Sequence, residues 1–268
     1  MSIDRNIPFV FYDADMIERC AASIFWLLIV ASVLPAPCRA EDVAPLPSLY
    51  LSASFYNSLI QKVSKPTLAA GQRSLLGKAG PPPLTTTRDG MTETLTANLN
   101  YQPSDGISRT LRQQIASKVQ GTDPAQMPKI REAFSSDAIW QQFDQLLRGS
   151  GYNARDIADV VAAYYLSAWE IVNRATASPG NSRVARDRIA WSLKRSPEIM
   201  FMSDAEKQRS AETLGILTTV PLTGSKLLLQ RNDEAGYATL QECINQSFLQ
   251  QGIDFRQLAL GRNGFVAR

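Results

Sequence analysis

Seven acids offer this chain its readiest catalytic groups, because the sequence contains no histidine. That absence removes zinc sites of the His-Glu-x-x-His kind, Ser-His-Asp and Cys-His nucleophile systems, and haem held by an axial histidine. No lysine stands three positions after a serine, Thr223-x-x-Lys226 coming nearest to such a dyad, and Ser-Lys pairs at other spacings stay open. Gly71-Gln72-Arg73-Ser74-Leu75-Leu76-Gly77-Lys78 imitates a phosphate loop. Its glycines are one residue too far apart, however, and Ala79 stands where a hydroxyl would hold magnesium. Glycoside cleavage needs only two acids at a suitable separation. The acids available for it are Glu132, Asp137, Asp144, Asp156, Asp159, Glu170 and Glu198. Asp156, Asp159 and Glu170 project from a helical stretch opposite its apolar positions, where solvent or the helix dipole accounts for them.

The aromatic residues suggest a second kind of site. Tyr164, Tyr165, Trp169 and Trp191 recur at helical spacing, and exposed rings of this kind stack on sugars and other flat apolar faces. Tyr164 falls in the middle of an apolar face and reads as core. Tyr165 and Trp169 fall at its edge and are the candidate lining of a ligand groove. No metal site and no cofactor is indicated. Cys243 lies between Leu240 and Ile244 on an apolar stripe and reads as a core thiol. Asn245-Gln246-Ser247 matches a glycosylation sequon by pattern only.

The elements that would position these residues are helical. Ser104 or Asp105 can cap a helix to about Val119, and Asp123-Pro124 opens a short one to about Phe134. A third, from about Ser136 to Arg148, carries Ile139, Trp140, Phe143, Leu146 and Leu147 at helical spacing and ends at Gly149-Ser150-Gly151. Asn153 is the expected cap of a central helix to about Thr176, with Ile157, Val160, Val161, Tyr164, Ala168, Ile171 and Val172 on one face. Asn181 or Ser182 opens a helix ending at Lys194-Arg195, and Ser203-Asp204-Ala205-Glu206 is a capping box that opens the next. Pro221 and Gly224 predict a kink or break in it. A last helix carries Tyr237, Leu240, Ile244 and Phe248. Alternation over Leu95 to Tyr101 predicts a short half-buried strand. Arg262-Asn263-Gly264 predicts a turn in a tail that either forms a hairpin or pairs with that strand. The fold class is all-α: a bundle of six or seven helices with a minor two-stranded β annex and a long N-terminal tether.

The start of the chain speaks to destination. Arg19 precedes an apolar run from Cys20 to Leu34, then Cys38-Arg39-Ala40 offers small residues for cleavage before Glu41-Asp42. This reads as a signal peptide over residues 1–40, with Met16 as the better start because Asp4, Asp13 and Asp15 are wrong for a basic n-region. Cleavage after Ala40 sends the protein to the periplasm or the medium and leaves Cys243 without an intramolecular disulfide partner. An uncleaved leader would instead anchor a helical module in the membrane. Residues 41–92 are rich in Pro, Gly and Thr and read as a linker, within which Leu49 to Val63 could dock as a short helix, and residues 93–268 read as the helical domain. A formal net charge of +3 permits an anionic partner such as an acidic glycan or lipid headgroup, and lacks the dense basic stripe of a nucleic-acid binder.

Tyr101-Gln102-Pro103-Ser104, the stretch Asn153 to Asn173 with Ile157-Ala158-Asp159-Val160 and Ala168-Trp169-Glu170, and the closing Gly264-Phe265-Val266 together resemble an uncharacterised family of exported bacterial helical proteins, a domain of unknown function. The resemblance covers about residues 95 to 268. It implies an exported helical domain behind a variable linker and brings no catalytic residues. The expected function is therefore a non-enzymatic, envelope-associated binding or interaction module whose partner is an envelope protein or glycan, touching the membrane only through the leader. A carboxylate-based glycan hydrolase of the envelope is the alternative.

Overall fold

The computed structural model describes residues 68, 71–72, 85–88, 91–94, 96–118 and 127–268. The leader, the stretch 49–63 and the Asp123-Pro124 cap lie outside the described residues. Helices dominate, and their order is α1 (Asp105–Lys118), α2 (Met127–Ser135), α3 (Ala138–Gly149), α4 (Ile157–Asn173), α5 (Pro179–Lys194), α6 (Pro197–Met200), α7 (Asp204–Gln230) and α8 (Glu234–Leu249). Ahead of them an antiparallel hairpin pairs β1 (Thr85–Arg88) with β2 (Met91–Thr94). After them a 3₁₀ turn at Phe255–Gln257 leads to β3 (Leu258–Gly261) and β4 (Gly264–Ala267).

The terminal hairpin forms as the Arg262-Asn263 turn requires, with Leu258 opposite Ala267 and Gly261 opposite Gly264. Gly264 leaves the turn at φ 74°, a conformation that costs glycine little. Residues 96–101 are extended and alternate between exposed and buried, as their pattern predicts, yet they join no sheet. Their backbone partners come from helix ends: Ala97 N–H donates to Lys194 O at 2.8 Å, and Leu99 O accepts from Ile157 N–H at 3.0 Å.

α4 is the centre of the bundle. Every residue from Ile157 to Trp169 is buried, Asp159 and Ser167 included. A helix surrounded on all sides must be apolar all round, and α4 meets α7, α5, α8 and α3. The one-faced picture of this helix is therefore corrected. Its cap is Asp156, whose carboxylate accepts from Ala158 N–H at 2.8 Å, and Asn153 lies one turn earlier.

α7 runs unbroken through Pro221, correcting the expected break. Proline removes the bond to Leu217 O and crowds that carbonyl with its ring, and packing against α4, α3, α1 and α8 offsets the cost and carries the helix on. Its start matches the sequence: Ser203 and Glu206 form a reciprocal capping box. Gly215 lets α3 approach, since a Cβ there would lie 2.7 Å from the Phe143 ring.

Part of the stretch read as a linker also packs on the core. Leu68 is buried, and its carbonyl accepts from the Tyr165 hydroxyl at 3.0 Å. Gly71 sits so close that a Cβ would fall 2.8 Å from the Tyr165 ring, and the Gln72 amide donates to Gln251 O.

Candidate functional site

The acids that could catalyse are distributed among separate structural tasks. Asp156 and Asp159 are the most tightly held. Arg186 of α5 reaches both, with Nε donating to Asp159 Oδ1 at 2.5 Å and an Nη to Asp156 Oδ2 at 3.1 Å. The remaining oxygens accept backbone N–H groups, Asp156 Oδ1 from Ala158 and Asp159 Oδ2 from Asn153, each at 2.8 Å. Asp159 is only 6% exposed and lies in the first turn of α4, so of its two expected settings the helix start holds and the solvated face does not: α5 covers that side of α4 and supplies the countercharge.

The electrostatics follow from this burial. Desolvation raises the Asp156 carboxyl above its usual range, opposed by the Ala158 N–H and the Arg186 charge. For Arg186, burial works against the charge, but the bond and charges of Asp159 and Asp156 outweigh it and hold the guanidinium protonated. Tyr152 nearby is pushed up to about 12 by burial and then by Asp159. With all four oxygens engaged, this cluster clamps the start of α4 to α5.

Glu170, at the other end of α4, is half-buried. Its Oε1 accepts from Ala177 N–H at 2.8 Å, bracing the α4–α5 loop, and burial raises its carboxyl. Asp137 pairs with Arg112, while Asp144 pairs with Arg148 one turn later at 2.6 Å. Glu198 accepts from the Ser196 hydroxyl, and Glu132 is exposed on α2. Among the described residues, no three His, Cys, Asp or Glu side chains gather so as to hold a metal ion.

Tyr165 and Trp169, proposed from the sequence to line a groove, lie inside the core. Tyr165 is 0% exposed and Trp169 7%. Their polar atoms are satisfied by backbone: the Tyr165 hydroxyl donates to Leu68 O, and Trp169 Nε1–H donates to Leu258 O at 2.9 Å. Both belong to an aromatic stack that closes the bundle against the terminal hairpin. Its members include Tyr164 against Phe248 (5.1 Å between centroids), Phe248 against Phe255 (4.6 Å) and Trp169 against Phe265 (6.4 Å). The sequon residue Asn245 is buried too, holding Phe255 N–H and Asp254. Cys243 is half-buried.

The remaining aromatic named from the sequence is placed differently. Trp191 is 56% exposed on the outer face of α5, with the Arg195 guanidinium 4.2 Å over its ring. Phe201, just past α6, is 78% exposed. The sequence reading missed Phe201 and Arg186. Helical phase offered a signal for Arg186, since about 100° per residue puts it on the same half of α5 as buried Ile189 and Leu193.

Comparison with curated proteins and with solved structures finds no match. The sequence model of a family of unknown function (DUF6683) matches residues 49–268, and the chain belongs to that family.

Proposed function

We propose that this protein is an exported, envelope-associated binding module rather than a catalyst. The observation that carries the reading is the contrast among its aromatics: Tyr165 and Trp169 are sealed in the core, whereas Trp191 and Phe201 stand in solvent within ten residues of one another. An exposed tryptophan with a guanidinium over its ring suits an interaction surface, where Trp and Arg are the enriched residue types. The engagement of Asp156, Asp159 and Glu170 in caps, clamps and loop bonds supports the same reading. Export rests on the leader-like residues 1–40. Subcellular fractionation of the native host with intact mass tests it: a species beginning at Glu41 in the periplasm or medium is expected, and a full-length cytoplasmic species would contradict it.

A further inference from the structure

α5 buries one side and exposes the other. At about 100° per residue, Ala185, Ile189, Ala190, Ser192 and Leu193 fall on the buried side. Opposite them, Arg183, Asp187, Arg188, Trp191 and Lys194 are exposed and Arg195 is half-exposed, with Trp191 near the middle of the face. The exposed acids on and beyond α5 are Asp187, which Arg186 contacts at 3.3 Å, Glu198, which accepts from Ser196, and, past Phe201, Asp204, which accepts from Gln102 N–H, and Glu206, which closes the capping box at Ser203. The α5 face therefore combines four cations with one acid, Asp187, already in contact with a neighbour, and one large ring at its centre. Phe201, just past α6, offers a second exposed ring, without any polar tip.

We propose that this face docks on an anionic lipid surface. Tryptophan settles at the boundary between headgroups and acyl chains, a bare phenyl ring gains from leaving water, and Lys and Arg stems lie along the apolar layer with their charges at the phosphates. Phe201 favours a lipid surface over an acidic glycan: a ring stacked on a sugar keeps one face and its edges wet, whereas a bare phenyl ring in an acyl layer leaves water altogether. The surface lies in the plane of the membrane, and no described helix is long and apolar enough to cross one. The proposal rests on the exported-module reading and names its partner.

The test is vesicle flotation with phosphatidylcholine alone and with added phosphatidylglycerol. The protein floated is the species recovered by fractionation, and the quantity read is the increment due to phosphatidylglycerol over phosphatidylcholine alone. Several cations near the surface predict an increment of about tenfold or more at low salt. It should disappear in concentrated salt, where the screening length falls to about 3 Å. Trp191→Ala with Phe201→Ala, and separately Lys194→Glu with Arg195→Glu, should each return binding to the phosphatidylcholine level with an unchanged melting temperature. An increment that survives both double variants overturns the proposal. So does the lack of any increment, or polygalacturonate binding that needs Trp191 while vesicles are ignored. A protein found in the periplasm by fractionation that floats with neither vesicle would overturn the lipid surface and leave the exported-module reading standing.

Discussion

The aromatic residues of α4 and those of α5 and α6 are chemically alike and do opposite things. Tyr165 and Trp169 give their polar atoms to backbone carbonyls and their rings to a stack with Phe248, Phe255 and Phe265. Trp191 gives its ring to a guanidinium and to water. The difference lies in the neighbours. α4 is enclosed by four helices, while α5 is covered on one side by α4 and the terminal hairpin. Helical phase within a single element cannot count how many elements will surround it, so ring type alone predicts neither role.

Breaking the interior set should have the largest effect. Tyr165→Ala removes a wholly buried ring and strands the Leu68 carbonyl, an expected loss of about 3–5 kcal/mol in chemical denaturation. The close approach of α3 to α7 comes next: Gly215→Val sets a side chain against Phe143 and should cost about 1–3 kcal/mol, read as a lowered melting temperature.

Asp159→Ala should cost a comparable or slightly smaller amount, about 1–3 kcal/mol, because it leaves Arg186 and Asn153 N–H short of an acceptor in a partly solvated setting. Glu170 sharpens the comparison through pH. Burial raises its folded-state carboxyl above the unfolded value, so between the two values the folded protein binds more protons and stability falls as pH rises. Glu170→Gln should flatten that part of the stability profile while its amide oxygen keeps the Ala177 bond. The smallest effect on stability belongs to Trp191→Ala, within about 0.5 kcal/mol, since the ring is more than half exposed.

Much of the fold is written locally. The capping box at Ser203 and Glu206 and the Arg262-Asn263 turn before Gly264 depend on neighbours a few residues away, and both stand as the sequence indicates. What was hidden depends on distant partners. Pro221 breaks isolated helices, but here α7 stays one helix, packed against α4 and α8. Asp159 reads as solvated until α5 brings Arg186 over it, and residues 96–101 look like a strand because alternating burial is the same whether a sheet or a set of helix ends lies beneath. The binding candidates failed for that reason as well: Tyr165 and Trp169 sit at the edge of an apolar arc, and an edge is a groove only if no further element covers it. The exposure of Trp191 and Phe201 depends on which elements cover α5 and α6, and neither sequence position shows it.

The most direct test of this division of labour is fractionation of the native host expressing the Trp191→Ala, Phe201→Ala double variant beside the unchanged chain, with melting temperature measured on both recovered proteins. Separate roles predict that the variant shifts from the envelope membranes to the soluble envelope fraction while melting at the same temperature. An unchanged distribution, or a melting temperature lowered as far as that of Tyr165→Ala, would contradict it.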